Sequence, residues 1–147
     1  MLFRVLLLAL LLGSAPAAWA QRNAAPIPKV APSFFSTYTY LSYTIQDKGT
    51  SAEPMAARGV GGTLTLRPDG TYQKRLTLAG NGTTMAFDQD GRFTFAGDQI
   101  TFTYTDKKGQ PRTDQGTFRL QPAARLLTLT LIAYPAGNKG VYTLRVQ

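Results

Sequence analysis

The sequence predicts an all-β fold, an antiparallel up-and-down meander of about eight to nine strands closed into a small barrel. Three observations predict it. From Phe34 onward, apolar and polar residues alternate with the two-residue period of a strand, and no segment offers a helical period of useful length. Turn residues recur at short, even spacing, as they do in sandwiches and barrels. Sequential hairpins favour a meander, and closing so long a meander removes its exposed edges.

The elements follow in chain order. Phe35 to Gln46 is a Thr- and Tyr-rich strand with Leu41, Tyr43 and Ile45 on one face. The stretch from Lys48 to Gly59 is the one place for a long loop or a short helix. Gly62 to Leu66 alternates cleanly, and Arg67-Pro68-Asp69-Gly70 turns it, Pro presetting φ and Gly accepting the left-handed position. Thr71 to Leu78 is the returning arm, and Gly80-Asn81-Gly82 turns again. Thr84 to Phe87 reads as a short strand ended by a hairpin at Asp90-Gly91. Phe93 and Phe95 then share a face, and Gly97-Asp98 turns into Ile100, Phe102 and Tyr104. Lys107-Lys108-Gly109 leads to Thr113 to Leu120. Pro122 breaks that strand, Leu126 to Tyr134 follows, and Gly137-Asn138 precedes the last strand, Val141 to Val146.

Parity places Leu64, Leu66, Tyr72, Leu76 and Leu78 on the inner face, with Met85, Phe87, Phe93, Phe95, Ile100, Phe102 and Tyr104. Phe118, Leu120, Leu127, Leu129, Leu131, Tyr142, Leu144 and Val146 complete it. Thr and Arg dominate the opposite face. A slip of one residue would exchange the two faces, so the register is strongly specified.

Residues 1–20 read as a signal peptide. Arg4 supplies the positive start, Val5 to Leu12 is an unbroken apolar run, and Ala18-Trp19-Ala20 fits the small-x-small cleavage rule. The apolar run is too short to span a bilayer. No stable membrane anchor is expected after cleavage, and the mature protein is expected in the periplasm or outside the cell. Residues 21–33, with Pro26, Pro28 and Pro32, form an extended leader. Residues 34–147 are left as a single domain.

Composition excludes several function classes. The chain has no Cys and no His, which removes disulfide scaffolds, thiolate or imidazole metal sites and every nucleophile–His pair. Sixteen basic residues face eight acidic ones, and the loss of Arg4 lowers that excess by one. The basic residues are scattered rather than gathered into a stripe with stacking aromatics, so no nucleic-acid partner is expected. Asp88 and Asp90 before Gly91 resemble a fragment of a calcium loop, but its twelfth position is Gln99 rather than Glu. No metal and no cofactor are expected. Asp69, Asp88, Asp90, Asp98 and Asp106 fall at predicted turns, where solvation leaves no reason for a catalytic pKa. With Asp114 as the one inward acid and no His, no enzyme activity is expected either.

The run from Gly62 to Tyr72, Gly-Thr-Leu-Thr-Leu-Arg-Pro-Asp-Gly-Thr-Tyr, resembles bacterial exported lipocalin-like (calycin-type) domains, which carry G-x-L-x-L-x-x-D-G-x-Y and continue as a meander. The run from Asp90 to Tyr104 fits the same habit. The resemblance covers residues 34–147. It implies a small barrel that holds an apolar or amphipathic ligand.

Two side chains break the apolar inner face. Lys74 has the parity of Tyr72, Leu76 and Leu78, and Asp114 that of Phe118 and Leu120. An unpaired ammonium in an apolar interior carries a heavy desolvation cost. Lys74 must therefore turn outward at a bulge, reach water at the barrel mouth, or point into a cavity toward Asp114 or an acidic head group. The candidate ligand-binding residues are Lys74, Tyr72, Phe102, Tyr104, Asp114 and Phe118. Two functions fit this reading. One is a monomeric binding module for a small apolar or amphipathic ligand. The other is a non-enzymatic structural or interaction domain of the cell envelope with a filled core.

Overall fold

The computed structural model describes residues 34–49, 53–132 and 137–147. The expected signal peptide and leader lie outside these residues, as does the predicted extension of the eighth strand to Tyr134. Nine strands follow in order: β1 (Thr37–Gln46), β2 (Met55–Ala56), β3 (Arg58–Leu66), β4 (Thr71–Gly80), β5 (Thr83–Ala96), β6 (Gln99–Thr105), β7 (Pro111–Gln121), β8 (Leu126–Ile132) and β9 (Lys139–Val146). All pairings are antiparallel. β1 pairs with β3, each strand from β3 to β8 pairs with the next, and β9 returns to β1. Eight strands thus close a barrel, and the two-residue β2 adds to the free end of β1 at Thr44 and Ile45.

Most of the turns form where the sequence places them. At Pro68-Asp69-Gly70 the Gly70 N–H donates to the Arg67 carbonyl at 3.1 Å, and Gly70 has φ 79°. Asp69 fixes the turn by accepting from the Thr71 N–H and hydroxyl at 2.9 and 2.7 Å. Asn81 and Gly82, at φ 49° and 77°, join β4 to β5 through a two-residue turn whose twist matches the strands. Asp106 accepts from the Lys108 and Gln110 N–H groups and shapes the β6–β7 turn.

One end of the barrel is closed by aromatic rings. Phe34 is fully buried there, with ring centroids 4.9 Å from Phe118, 5.4 Å from Phe95 and 5.5 Å from Phe35. The Tyr38 hydroxyl donates to the Phe34 carbonyl at 2.7 Å and ties this plug to β1. Leu64, Leu66, Ile100, Leu127, Leu129 and Leu144 fill the middle of the core. The inner face therefore agrees with parity over most of the barrel.

Four local readings are corrected. β5 runs unbroken through Asp90 and Gly91, so no hairpin turns there. Gly91 serves instead for a close approach: a Cβ on it would collide with the Thr103 carbonyl of β6 and touch the Tyr72 ring. Second, β3 begins at Arg58 rather than Gly62, and β2 occupies part of the segment read as a loop or short helix. Third, β1 slips register between Tyr40 and Ser42, which leaves Leu41 exposed while Tyr43 still packs on the core. Fourth, Met85 and Phe87 lie opposite the buried Leu78 and Leu76 yet are 42% and 43% exposed, because this part of β5 rises past β6.

Candidate functional site

Above the aromatic plug the interior becomes polar. β4 places Lys74 between Leu64 of β3 and Gln89 of β5 as cross-strand neighbours. β7 places Asp114 opposite Phe102 of β6. β9 places Tyr142 opposite Leu129 of β8 and Tyr43 of β1. The barrel curvature brings these together with Tyr40 and Tyr72 around one internal cavity.

That cavity measures about 10 Å³, which is at the lower limit for a single water. Its polar lining is Lys74, Asp114, Gln89 and three tyrosines, set against Leu64, Phe102, Leu129 and Leu131. The Lys74 ammonium lies 5.5 Å from the centre of the Tyr142 ring, within cation–π range. Tyr142 in turn stacks on Tyr43 with centroids 4.3 Å apart. The Tyr72 hydroxyl donates to Gln89 Oε1 at 3.3 Å, and the Tyr104 hydroxyl reaches Asp114 Oδ1 at 3.5 Å.

Burial governs the electrostatics. Lys74 sits below the ordinary lysine range because its ammonium is desolvated, and the negative charge of Asp114 opposes that shift without cancelling it. Desolvation raises the phenols of Tyr40, Tyr72 and Tyr142 above the ordinary tyrosine value, and pushes Tyr38 up to about 12. The Tyr104 phenol is also raised, by burial first and then by the neighbouring Asp114. The cluster can hold a proton or one small polar guest. It has no room for a fatty chain.

The sequence-predicted site is thus largely one place. Lys74, Tyr72, Phe102 and Asp114 line the cavity, and Tyr104 joins through its contact with Asp114. Phe118 does not belong: it packs in the aromatic plug against Phe34 and Phe95. Of the three escapes open to Lys74, a bulge that turns it outward is absent, since β4 pairs with β5 in unbroken register from Thr71 to Gly80. Tyr40 and Gln89 were missed. Gln89 shares the parity of Met85 and Phe87, and only the supposed turn at Asp90-Gly91 hid it.

A second concavity lies outside this cluster, where β5 and β6 part. It is a groove of about 460 Å³, bordered by Ala86, Phe87, Asp88 and Gln89 on one side and Tyr104 to Lys107 on the other. Asp88 borders this groove, Asp90 follows it on the same extended strand rather than in a loop, and Arg75 holds Asp90 through a 2.8 Å ion pair. Among the described residues no group of three or more acidic side chains is placed to hold a metal ion. No family model matches the chain, and no curated protein matches it.

Proposed function

We propose that this chain is a non-enzymatic interaction domain of the cell envelope, exported by residues 1–20, whose barrel is filled by its own side chains. The observation that supports this reading is the size of the internal cavity, about 10 Å³ in a barrel lined by Leu, Phe and Tyr. Ligand pockets usually offer about 300 Å³ or more. Recognition then falls to the outside of the barrel and its open end. Kinship with the lipocalin-like domains rests on the Gly62 to Tyr72 run and on a compatible antiparallel barrel.

A second reading keeps a small amphipathic ligand. It is favoured by Gln89, which borders both the internal cavity and the groove between β5 and β6, so a head group in the groove is one side chain from Lys74. Titration of a fluorescent fatty acid into the wild type and Lys74→Met separates the two. The filled-barrel reading expects no saturable binding to either. Saturable binding to the wild type that Lys74→Met weakens would replace it with the ligand-binding reading.

A further inference from the structure

The open edge of β5 carries a pattern that fits itself. β5 pairs with β4 along Thr83 to Arg92, but with β6 only from Gly91 to Ala96. Among the described residues no strand covers the β6-facing edge from Thr83 to Asp90. The two-residue turn at Asn81-Gly82 makes Gly80 and Thr83 the first hydrogen-bonded pair. Thr83, Met85, Phe87 and Gln89 therefore bond to β4, while Thr84, Ala86 and Asp88 turn their N–H and C=O groups to the open side. An edge of this kind is a template for another strand. It also carries two of the large exposed apolar side chains, Met85 and Phe87.

We infer that two copies of this chain pair antiparallel through this edge, about a two-fold axis at Ala86. The register decides the partner. With Ala86 opposite Ala86, Met85 of each copy faces Phe87 of the other, a sulfur–aromatic contact on both sides of the axis. Thr84 then faces Asp88, so a hydroxyl meets each carboxylate, and Arg75 stays beside Asp88 on β4. Moving the axis to Phe87 sets Met85 against Gln89, and moving it to Asp88 sets two carboxylates against each other. An isologous interface needs one self-complementary patch, and this edge supplies it. The inference rests on reading the domain as an interaction module and names the surface and the partner.

The absence of cysteine gives a direct test. In the inferred register the two Ala86 Cα atoms are about 5.5 Å apart, within disulfide range. The two Thr84 Cα atoms lie about 14 Å or more apart, outside it. Under mild oxidation Ala86→Cys should form a covalent dimer at least about tenfold faster than Thr84→Cys, since exchange depends on thiol access and geometry. Sedimentation equilibrium of the cysteine-free protein, from about 1 μM to 1 mM, should show a reversible dimer. Ala86→Pro should abolish it by removing an edge N–H that β4 does not use. Met85→Lys/Phe87→Lys, at exposed positions, should do the same without altering the backbone. A monomer across the whole range, or Thr84→Cys cross-linking as fast as Ala86→Cys, overturns the inference. A fatty acid bound inside the barrel would defeat the filled-barrel reading and leave the cross-link result unchanged.

Discussion

At the scale of residues, Lys74 and Asp114 are the pair on which the interior turns. Each is set inward by parity, and the negative charge of Asp114 offsets the desolvation of Lys74 only in part. Breaking a buried charge pair by removing one member costs about 3–5 kcal/mol. Asp114→Asn is expected near the lower end of that range, because it leaves the ammonium desolvated beside the Tyr142 ring and the neutral groups of the cavity. Lys74→Met should cost less, since it removes the desolvated charge and keeps the apolar stem. Chemical denaturation of both variants and the double variant measures the coupling. The pH dependence follows from the lowered folded pKa of Lys74. Between that value and the ordinary 10.5, the unfolded chain binds more protons than the folded one, so stability rises with pH. Above about 10 the raised tyrosines reverse the sign, because the unfolded phenols ionise first. Lys74→Met should abolish the rise, and Asp114→Asn, by lowering Lys74 further, should start it at lower pH. Identical slopes in all three proteins would show that Lys74 is not desolvated.

At the scale of elements, the turns divide by what the chain needs from glycine. Gly70 needs the left-handed conformation at φ 79°. A Cβ there would meet only ordinary contacts, the nearest being the Phe93 carbonyl at 3.5 Å. The cost of Gly70→Val is therefore backbone strain of about 1–3 kcal/mol, read as a lower denaturation midpoint with the slope unchanged. Gly91 needs closeness instead, and this is where local pattern misled. Asp-Gly between alternating residues is a hairpin signal when only neighbours are considered. Here the same glycine lets β6 pass close to a continuous strand, a requirement set by a segment a dozen residues away. The bulge at Leu41 was hidden for the same reason, since it is defined against β9. Parity, by contrast, is local. It placed Lys74, Tyr72, Phe102 and Asp114 on one inner face, and it failed for Phe118 only because a face has height as well as sense. Nothing in a two-residue period distinguishes the plugged end from the polar end.

At the scale of the whole molecule, export is expected to remove residues 1–20 and with them Trp19, the single tryptophan. The exported protein should show tyrosine emission alone and an intact mass that begins at Gln21. A mass retaining Met1, or tryptophan emission, would defeat that reading. The barrel itself is sealed by β1 and β9, the first and last of its strands in chain order, paired from Tyr38↔Val146 to Gln46↔Lys139. This seam imposes a timetable. A chain that emerges N-terminus first presents β1 long before its partner exists, and until Lys139 to Val146 arrive β1 and β8 each keep a raw edge that the finished barrel pairs. Contacts of such long sequence separation form slowly, and open edges invite wrong partners. The seam makes completion of the fold an event that waits for β9, so during biogenesis the protein depends most on whatever shelters it just before its last strand comes through.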